Sequence, residues 1–440
     1  MHTHYPRSKP DYLLGALHTG EAVPLLQADR RRHMAVFGQT GTGKTAVLLN
    51  LMRADLVGGA GYCFLDPHGD AAQDIAAMTP AARMQDVIYL DPSDLNYTFA
   101  FNPLAGVPSP ERATAGANIV SAFKNIWADS WGPRLEFILS NALRLLMDTN
   151  AQTLSGVPRL LADDSYRAFL IRQCRDPVIR YYWSQEFPAF DNRQRTEMIS
   201  PIQNKIGILL ANPFIRSILC HPSSTLNIQR VMNEGKVLII NLSKGNLGTG
   251  PAHLLGALLI TAFSQAAEAR RNMAEHDRRD FTLYCDEFAN FATESFGTIL
   301  SEARKWRLSL VAVAQHVSQL APSLQHAVFG NVGTLIAFRV GALDAPILAS
   351  ELGIKNSRAL QETDNYHAWI RLMRHGMPLH ATQMETFPPP SPGNKLDKVI
   401  AQARNRHMLP RRAVDKRIEQ AFRCVGVAPR KRARRHPDRE

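Results

Sequence analysis

The sequence predicts an α/β fold built on a parallel, doubly wound sheet, and three observations predict it. Short apolar runs recur along the chain with helix-length segments between them. Polar residues follow the C-terminal ends of these runs, the edge at which such sheets bind ligands. One run, Met34-Ala35-Val36-Phe37, leads directly into the glycine-rich stretch GQTGTGKT, and a helical pattern follows it at 46–52.

Taken in order, residues 1–33 read as a lead-in with a small β element. It closes on the basic run Asp29-Arg30-Arg31-Arg32-His33, which reads as a solvated edge or, alternatively, as a run approaching a nucleotide or a neighbouring subunit. Buried-type strands are expected at 34–37, 61–65, 86–90, 237–242, 281–285, 308–314 and 334–340. Between about 108 and 233 the strand signal disappears. Helical periodicity over 113–127, 135–147, 165–174 and 201–210 predicts an all-α domain inserted into the α/β domain. Ser200 before Pro201 reads as an N-cap with proline at the first helical position. The aromatics Trp127, Trp131, Tyr181, Tyr182, Trp183, Phe187 and Phe190 suit core packing or, with nearby Arg and Lys, a strand of nucleic acid. Phe387-Pro388-Pro389-Pro390-Ser391-Pro392-Gly393 reads as a linker, 396–404 and 412–424 as helices, and 428–440 as disordered. The expected organisation is therefore 1–107 and 234–386 for the two parts of the α/β domain, 108–233 for the insert, and 387–440 for linker and basic tail.

Composition narrows the class. With 440 residues, 45% hydrophobic and 20% charged, the chain has room for two or three globular domains. Of its formal net charge of +12, nine units lie in residues 401–440, which hold 13 Lys/Arg against 4 Asp/Glu. A tail of that charge fits an acidic partner such as nucleic acid or an anionic membrane surface, and equally a solvated appendage. The five cysteines, at 63, 174, 220, 285 and 424, form no metal-ligand spacing and read as free thiols of a reducing compartment. The N-terminus shows no signal-peptide pattern, and the longest apolar stretch, 253–267, is too short and polar to span a bilayer. The expectation is a cytoplasmic protein, brought to the inner membrane face only by partners.

The chemistry concentrates at a few strand ends and turns. Gly38, Gln39, Thr40, Gly41, Thr42, Gly43, Lys44 and Thr45 match G-x-x-x-x-G-K-[ST] at every position. Glycines let the loop curl its N–H groups around an anion, and the helix N-terminus adds partial positive charge. Lys44 is suited to the β- and γ-phosphates of ATP, and Thr45 to Mg²⁺. Leu283-Tyr284-Cys285 ends in Asp286 and Glu287, placing a metal-holding carboxylate beside a general base. Gln315 ends another strand and suits a γ-phosphate sensor, or an ordinary surface position. Arg339 and Arg304 are alternative cations for a neighbouring subunit's γ-phosphate, or salt-bridge partners. Asp66 and His68 lack a second ligand cluster, so they read as an edge loop and not as a metal site.

Together GQTGTGKT, FLDPHGD, FNPL, LIINLSKGNLG, YCDEFANFAT, LSEARKWRLSLVAVAQ and GTLIAFRVG resemble the HerA/FtsK class of P-loop motors. Within it the chain looks like the type IV coupling proteins of conjugative DNA transfer and their TraD/TraG-like soluble relatives, over roughly residues 12–385. The resemblance implies a RecA-like ATPase domain with an inserted all-α domain, a homo-hexameric ring, a DNA substrate, and type IV secretion or relaxosome proteins as partners. It also implies Lys44 and Thr45 as Walker A, Asp286 and Glu287 as Walker B, Gln315 as sensor and Arg339 as a candidate finger. Membrane-anchored coupling proteins begin with transmembrane helices, and this sequence shows none. Two functions stay open: an ATP-driven DNA translocase, or an assembly ATPase that energises a secretion machine and acts on protein.

Overall fold

The computed structural model describes residues 12–424, so the expected disorder of 428–440 lies outside the described residues. The chain forms two compact units. One comprises the residues up to Asp94, Thr114–Trp131 and Thr225–Met408; the other comprises Leu95–Ala113, Gly132–Ser224 and the residues from Leu409 on.

The first unit is organised on an eleven-stranded sheet. Its strands in chain order are β1 (Tyr12–Ala16), β2 (Ala22–Leu25), β3 (Met34–Phe37), β4 (Gly61–Asp66), β5 (Val87–Leu90), β6 (Val237–Asn241), β7 (Phe281–Cys285), β8 (Leu308–Ala314), β9 (Thr334–Ala337), β10 (His367–Arg371) and β11 (Thr382–Thr386). Their order across the sheet is β2-β1-β11-β10-β9-β3-β8-β7-β4-β6-β5. From β9 to β5 all neighbours are parallel, as the sequence predicts. These strands are buried along their whole length, which is why they read as continuous apolar runs. Alternate residues such as Tyr62, Phe64, Val237, Ile239 and Tyr284 share one core with the helices Lys44–Gly58 and Asp70–Ala77. The intervening residues Cys63, Leu65, Leu238 and Ile240 are equally buried, so both faces are covered.

The other edge differs from the expectation. β10, β11, β1 and β2 are antiparallel, and the lead-in joins the sheet through β1 and β11. β10 alternates buried and half-buried residues, the signature of a strand covered on one side.

The run Asp29–His33 is not a solvated edge. Asp29, Arg30 and His33 are 2–3% exposed. Arg30 makes a bidentate pair with Asp55 at 2.5 and 2.6 Å and also donates to the Tyr284 hydroxyl. Tyr284 and Tyr12 donate to the two Asp55 oxygens at 2.6 and 2.7 Å. Burial works against the Arg30 charge, but Asp55 and then Tyr284 outweigh it, holding the guanidinium protonated well above its ordinary range. Asp55 lies on Lys44–Gly58 and Tyr284 lies on β7 two residues before Asp286, so the network joins those two elements.

The proline-rich segment is not a free linker. Asn50 donates from Nδ2 to the carbonyls of Phe387 and Pro388 at 3.3 and 3.0 Å. Gly393 passes so close to the helix Asp70–Ala77 that a Cβ there would meet the Ala77 oxygen at 2.0 Å. The helix Leu396–His407 then packs on β5 and Asp70–Ala77, with Arg404 paired to Asp94 at 2.7 Å. Part of the expected basic tail is thus ordered helix.

The second unit is helical, apart from a short pairing of Tyr97–Thr98 with Leu409–Pro410. Its helices include Pro133–Asp148, Gly156–Ala162, Asp164–Gln173, Asn192–Ala211 and Arg411–Cys424. Residues 114–131, expected in the insert, cluster instead with the sheet unit. Trp183 is fully buried, packs against Tyr182 and Phe187 at 5.0 and 4.8 Å, and donates to the Asn141 carbonyl. Core packing accounts for these three aromatics. Ser200 is not an N-cap: Asp191 caps Asn192–Ala211 in a capping box with Gln194, and Pro201 lies inside the helix. The local Ser-Pro signal loses to a helix already nucleated nine residues earlier, and the Ser200 hydroxyl turns back to the Thr196 carbonyl.

The buried network predicts an unequal response to charge removal. Asp55→Asn leaves Arg30 charged without its counter-ion and should lower unfolding free energy in urea by about 3–5 kcal/mol. Arg358→Ala, which breaks the exposed 2.6 Å pair with Glu362, should change it by about 0.5 kcal/mol or less.

Candidate active site

The site is built at the C-terminal edge of the parallel strands. β3 ends at Phe37, Gly38–Gly43 curl back, and the helix begins at Lys44. Gly43 has φ 118°, a conformation that glycine alone adopts without strain. A Cβ on Gly38 would come within 2.6 Å of the Phe338 Cβ, so the loop closes tightly on the segment after β9. The Lys44 ammonium folds back on its own loop, donating to the carbonyls of Gly38 and Gln39 at 2.7 and 2.9 Å. Thr42 closes the turn with a 2.7 Å bond to the Gln39 carbonyl.

The acidic side of the site comes from β7 and β4. Asp286 and Glu287 follow β7 and are 7% and 8% exposed. Glu287 has φ 47°, in the left-handed region, and its N–H donates to Asp286 Oδ1 at 3.0 Å. That turn aims its side chain at Gln315, which follows β8 and donates from Nε2 to Glu287 Oε1 at 2.6 Å. His68 Nε2 lies 4.0 Å from the same carboxylate oxygen. Buried Asp66 is occupied locally, accepting from the N–H groups of His68 and Ala72 at 2.9 and 2.8 Å. Burial, then the Asp66 and Glu287 carboxylates, push the Asp286 carboxyl up to about 6. Burial pushes the Lys44 ammonium down, with Asp286 and Glu287 opposing.

Lys44, Thr45, Asp286, Glu287 and Gln315 therefore line one cavity of about 450 Å³. Thr40, Gly41 and Gly43 form its floor. Among the described residues, no group of three or more His, Cys, Asp or Glu could hold a metal ion unaided. The oxygen donors available, the Thr45 hydroxyl and the Asp286 carboxylate, are of the kind that Mg²⁺ takes together with water and phosphate. The acidic crowding that raises Asp286 is chemistry that a divalent cation would relieve.

The arginines separate. Arg339 does not project free: it is held within its own chain by Gln39 at 3.4 Å, the Thr363 carbonyl at 3.5 Å and Asn365 at 2.8 Å. It lies on the β9 side of the loop, whereas Gln315 and Glu287 lie on the β8 and β7 side. Arg304 is exposed on the short helical turn Ala303–Trp306 that leads into β8, and so sits at the opposite edge of the sheet. The seven-residue β8 puts it about 20 Å from its own Gln315. Burial and the charges of Arg32 and Arg31 push the Arg304 guanidinium down.

Among the cavity residues that sequence reasoning gave no site role, Tyr366 and Pro389 come from beyond the parallel strands. Neither belongs to a motif; each reaches the loop through the antiparallel edge of the sheet. No helix among the described residues is long and apolar enough to cross a membrane.

Three similarities place this arrangement among known proteins. DotL of Legionella pneumophila, a type 4 coupling protein, is 20% identical over 357 residues. The alignment covers 68% of this chain and 45% of DotL, so the chain spans less than half of that relative's length. The unbound bacterial conjugative coupling protein TrwBdeltaN70 has a TM-score of 0.65 at 16% identity, covering 89% of this chain and 91% of that one. TrwB has also been solved with ADP and Mg²⁺, and that structure has a TM-score of 0.62 at 15% identity, covering 90% and 98%. At these identities the structural likeness establishes the shared fold, an α/β RecA-like P-loop architecture accompanied by a helical unit. The family model of the type IV secretion-system coupling protein DNA-binding domain matches residues 17–368, which include the phosphate loop, Asp286, Glu287, Gln315 and Tyr366, and the chain belongs to that family.

Proposed function

We propose that this chain is the motor of a coupling protein: a homo-hexameric ring that binds ATP with Mg²⁺, hydrolyses it, and drives DNA toward a type IV secretion system. The observation that carries this reading is the 2.6 Å bond between Gln315 and Glu287, facing Lys44 and Asp286 across one cavity. A phosphate switch needs no carboxylate aimed by a neighbouring amide; hydrolysis does. The family's DNA-binding designation and the nucleotide bound to TrwB support the substrate and cofactor.

In this mechanism the loop N–H groups and Lys44 bind the polyphosphate. Lys44 exchanges its contacts with the Gly38 and Gln39 carbonyls for phosphate oxygens. Mg²⁺, held by Thr45 and Asp286, would supply charge neutralisation on the phosphates. Glu287 accepts the proton of the attacking water, and Gln315 holds its carboxylate in line. Gln315 also reports the γ-phosphate, because an amide shared between carboxylate and phosphate must choose between them. Arg339 ties Gln39 to the loop at 363–365 and so positions the phosphate loop from its own subunit. Arg304, at the far edge of the sheet, can meet ATP only across a subunit boundary, which makes it the better trans-acting cation.

ATP hydrolysis should rise on adding DNA, and the stimulation should fall steeply with salt. Glu287→Gln should keep ATP binding and lose about 10²–10⁴ in turnover. Normal hydrolysis by that variant contradicts the role of Glu287. Stimulation by a secretion subunit alone, with none by DNA, favours an assembly ATPase acting on protein.

The ring makes a second prediction. Arg304→Ala and Lys44→Ala should each be inactive. Mixed rings contain interfaces that join an intact loop to an intact arginine, so activity should partly return. If mixed rings form and stay inactive, Arg304 does not act in trans.

A further inference from the structure

The order of strands orients any nucleotide on this loop. Glu287 follows β7 and Gln315 follows β8, both on one side of β3, while Tyr366 immediately precedes β10, two strands away on the other side. Tyr366 therefore borders the loop from the β10 side, against Thr42 and Gly43, while Glu287 and Gln315 face it from the β7 and β8 side. A triphosphate whose γ end meets Glu287 and Gln315 therefore directs its base toward Tyr366.

Tyr366 is set up as a platform. The residue is 48% exposed and lines the same cavity as Lys44 and Glu287. Its φ is 65°, a left-handed backbone that an aromatic residue seldom adopts. Both of its backbone groups are fixed. The N–H donates to the Thr42 carbonyl at 2.8 Å, and the carbonyl accepts from the Thr386 N–H and hydroxyl at 2.8 and 2.9 Å. The strain is held in place by the loop on one side and β11 on the other, and such strain collects where a side chain must be aimed. Pro389 reaches the same cavity, and Asn50, on the helix that follows the loop, pins the two residues before it.

We propose that Tyr366 and the strap at Pro389 clamp the base of the bound nucleotide, Tyr366 by stacking on its face. This rests on the nucleotide reading above. An aromatic face and a proline ring offer contact without hydrogen-bond readout, so the clamp accepts adenine and guanine alike.

Calorimetric titration with Mg·ATP, Mg·GTP and Mg·tripolyphosphate tests it, because tripolyphosphate fills the loop and has no base. Tyr366→Gly removes the ring and takes the same φ without strain. It should weaken ATP and GTP about tenfold and leave tripolyphosphate unchanged. Tyr366→Phe should bind all three as the parent does. Asn50→Ala, which frees the strap, should weaken ATP several-fold and spare tripolyphosphate. Unchanged ATP affinity in Tyr366→Gly overturns the clamp. So does equal weakening of ATP and tripolyphosphate, which would make Tyr366 a prop for the loop through Gly43 and Thr42. A parent protein that binds neither ATP nor tripolyphosphate overturns the nucleotide reading, and the clamp with it.

Discussion

A charged group buried in the core is tolerable only if its partner cannot move, and the pairing of Arg30 with Asp55 is of that kind. Both side chains are at most 2% exposed. Breaking the pair would strand a charge in a region of low polarity, so the elements that carry them are locked together. Asp55 fixes the far end of the helix that starts at Lys44. Tyr284, bonded to both partners, fixes β7 just before Asp286. Phosphate loop and acidic pair are thus set relative to one another by a network that joins the far end of that helix to the C-terminal end of β7. The lost hydrogen bonds of any sliding motion would be paid twice, once at each tyrosine.

With those two elements fixed, the sheet order does the rest. The acidic pair stands on the β8 and β7 flank, where Gln315 donates to Glu287. Shape stands on the β9 and β10 flank, where Arg339 and Tyr366 close around the loop. The antiparallel edge belongs to this second flank, and the proline strap crosses from β11 over the helix at Lys44 to the helix Asp70–Ala77. They turn a generic phosphate loop into a cavity with two distinct ends.

The legible part of the structure was the part governed by local rules. The parallel strands announce themselves because burial on both faces demands continuous apolar residues. The loop announces itself because anion binding needs glycines and a helix start at fixed spacing. Asp286 and Glu287 were readable as a pair at a strand end, and the structure adds the bond from Gln315. What was not legible depends on partners distant in sequence. Arg30 carries charge, and charge alone does not say whether Asp55 or water answers it, nor that Asp29 is met by the N–H groups of His375 and Gly376. Phe387–Gly393 signals irregular backbone, and composition does not say that Asn50 and Ala77 receive it. The pattern of β10 is interrupted by His367 and Arg371, which a strand covered on one face accommodates and a strand buried on both faces would not. Arg339 follows a strand as a finger might, but its loop folds it back onto Gln39.

A crystal structure with Mg²⁺ and a non-hydrolysable ATP analogue tests the central claim most directly, that a prebuilt scaffold presents a nucleotide between these two flanks. The expected result is a polyphosphate on Gly38–Thr45 with Lys44 Nζ moved from the Gly38 and Gln39 carbonyls onto it, its γ end at Glu287 and Gln315, and the Arg30–Asp55–Tyr284 network unchanged. An analogue bound elsewhere, or bound here only after β7 and the helix at Lys44 have shifted apart and that network has broken, would contradict it.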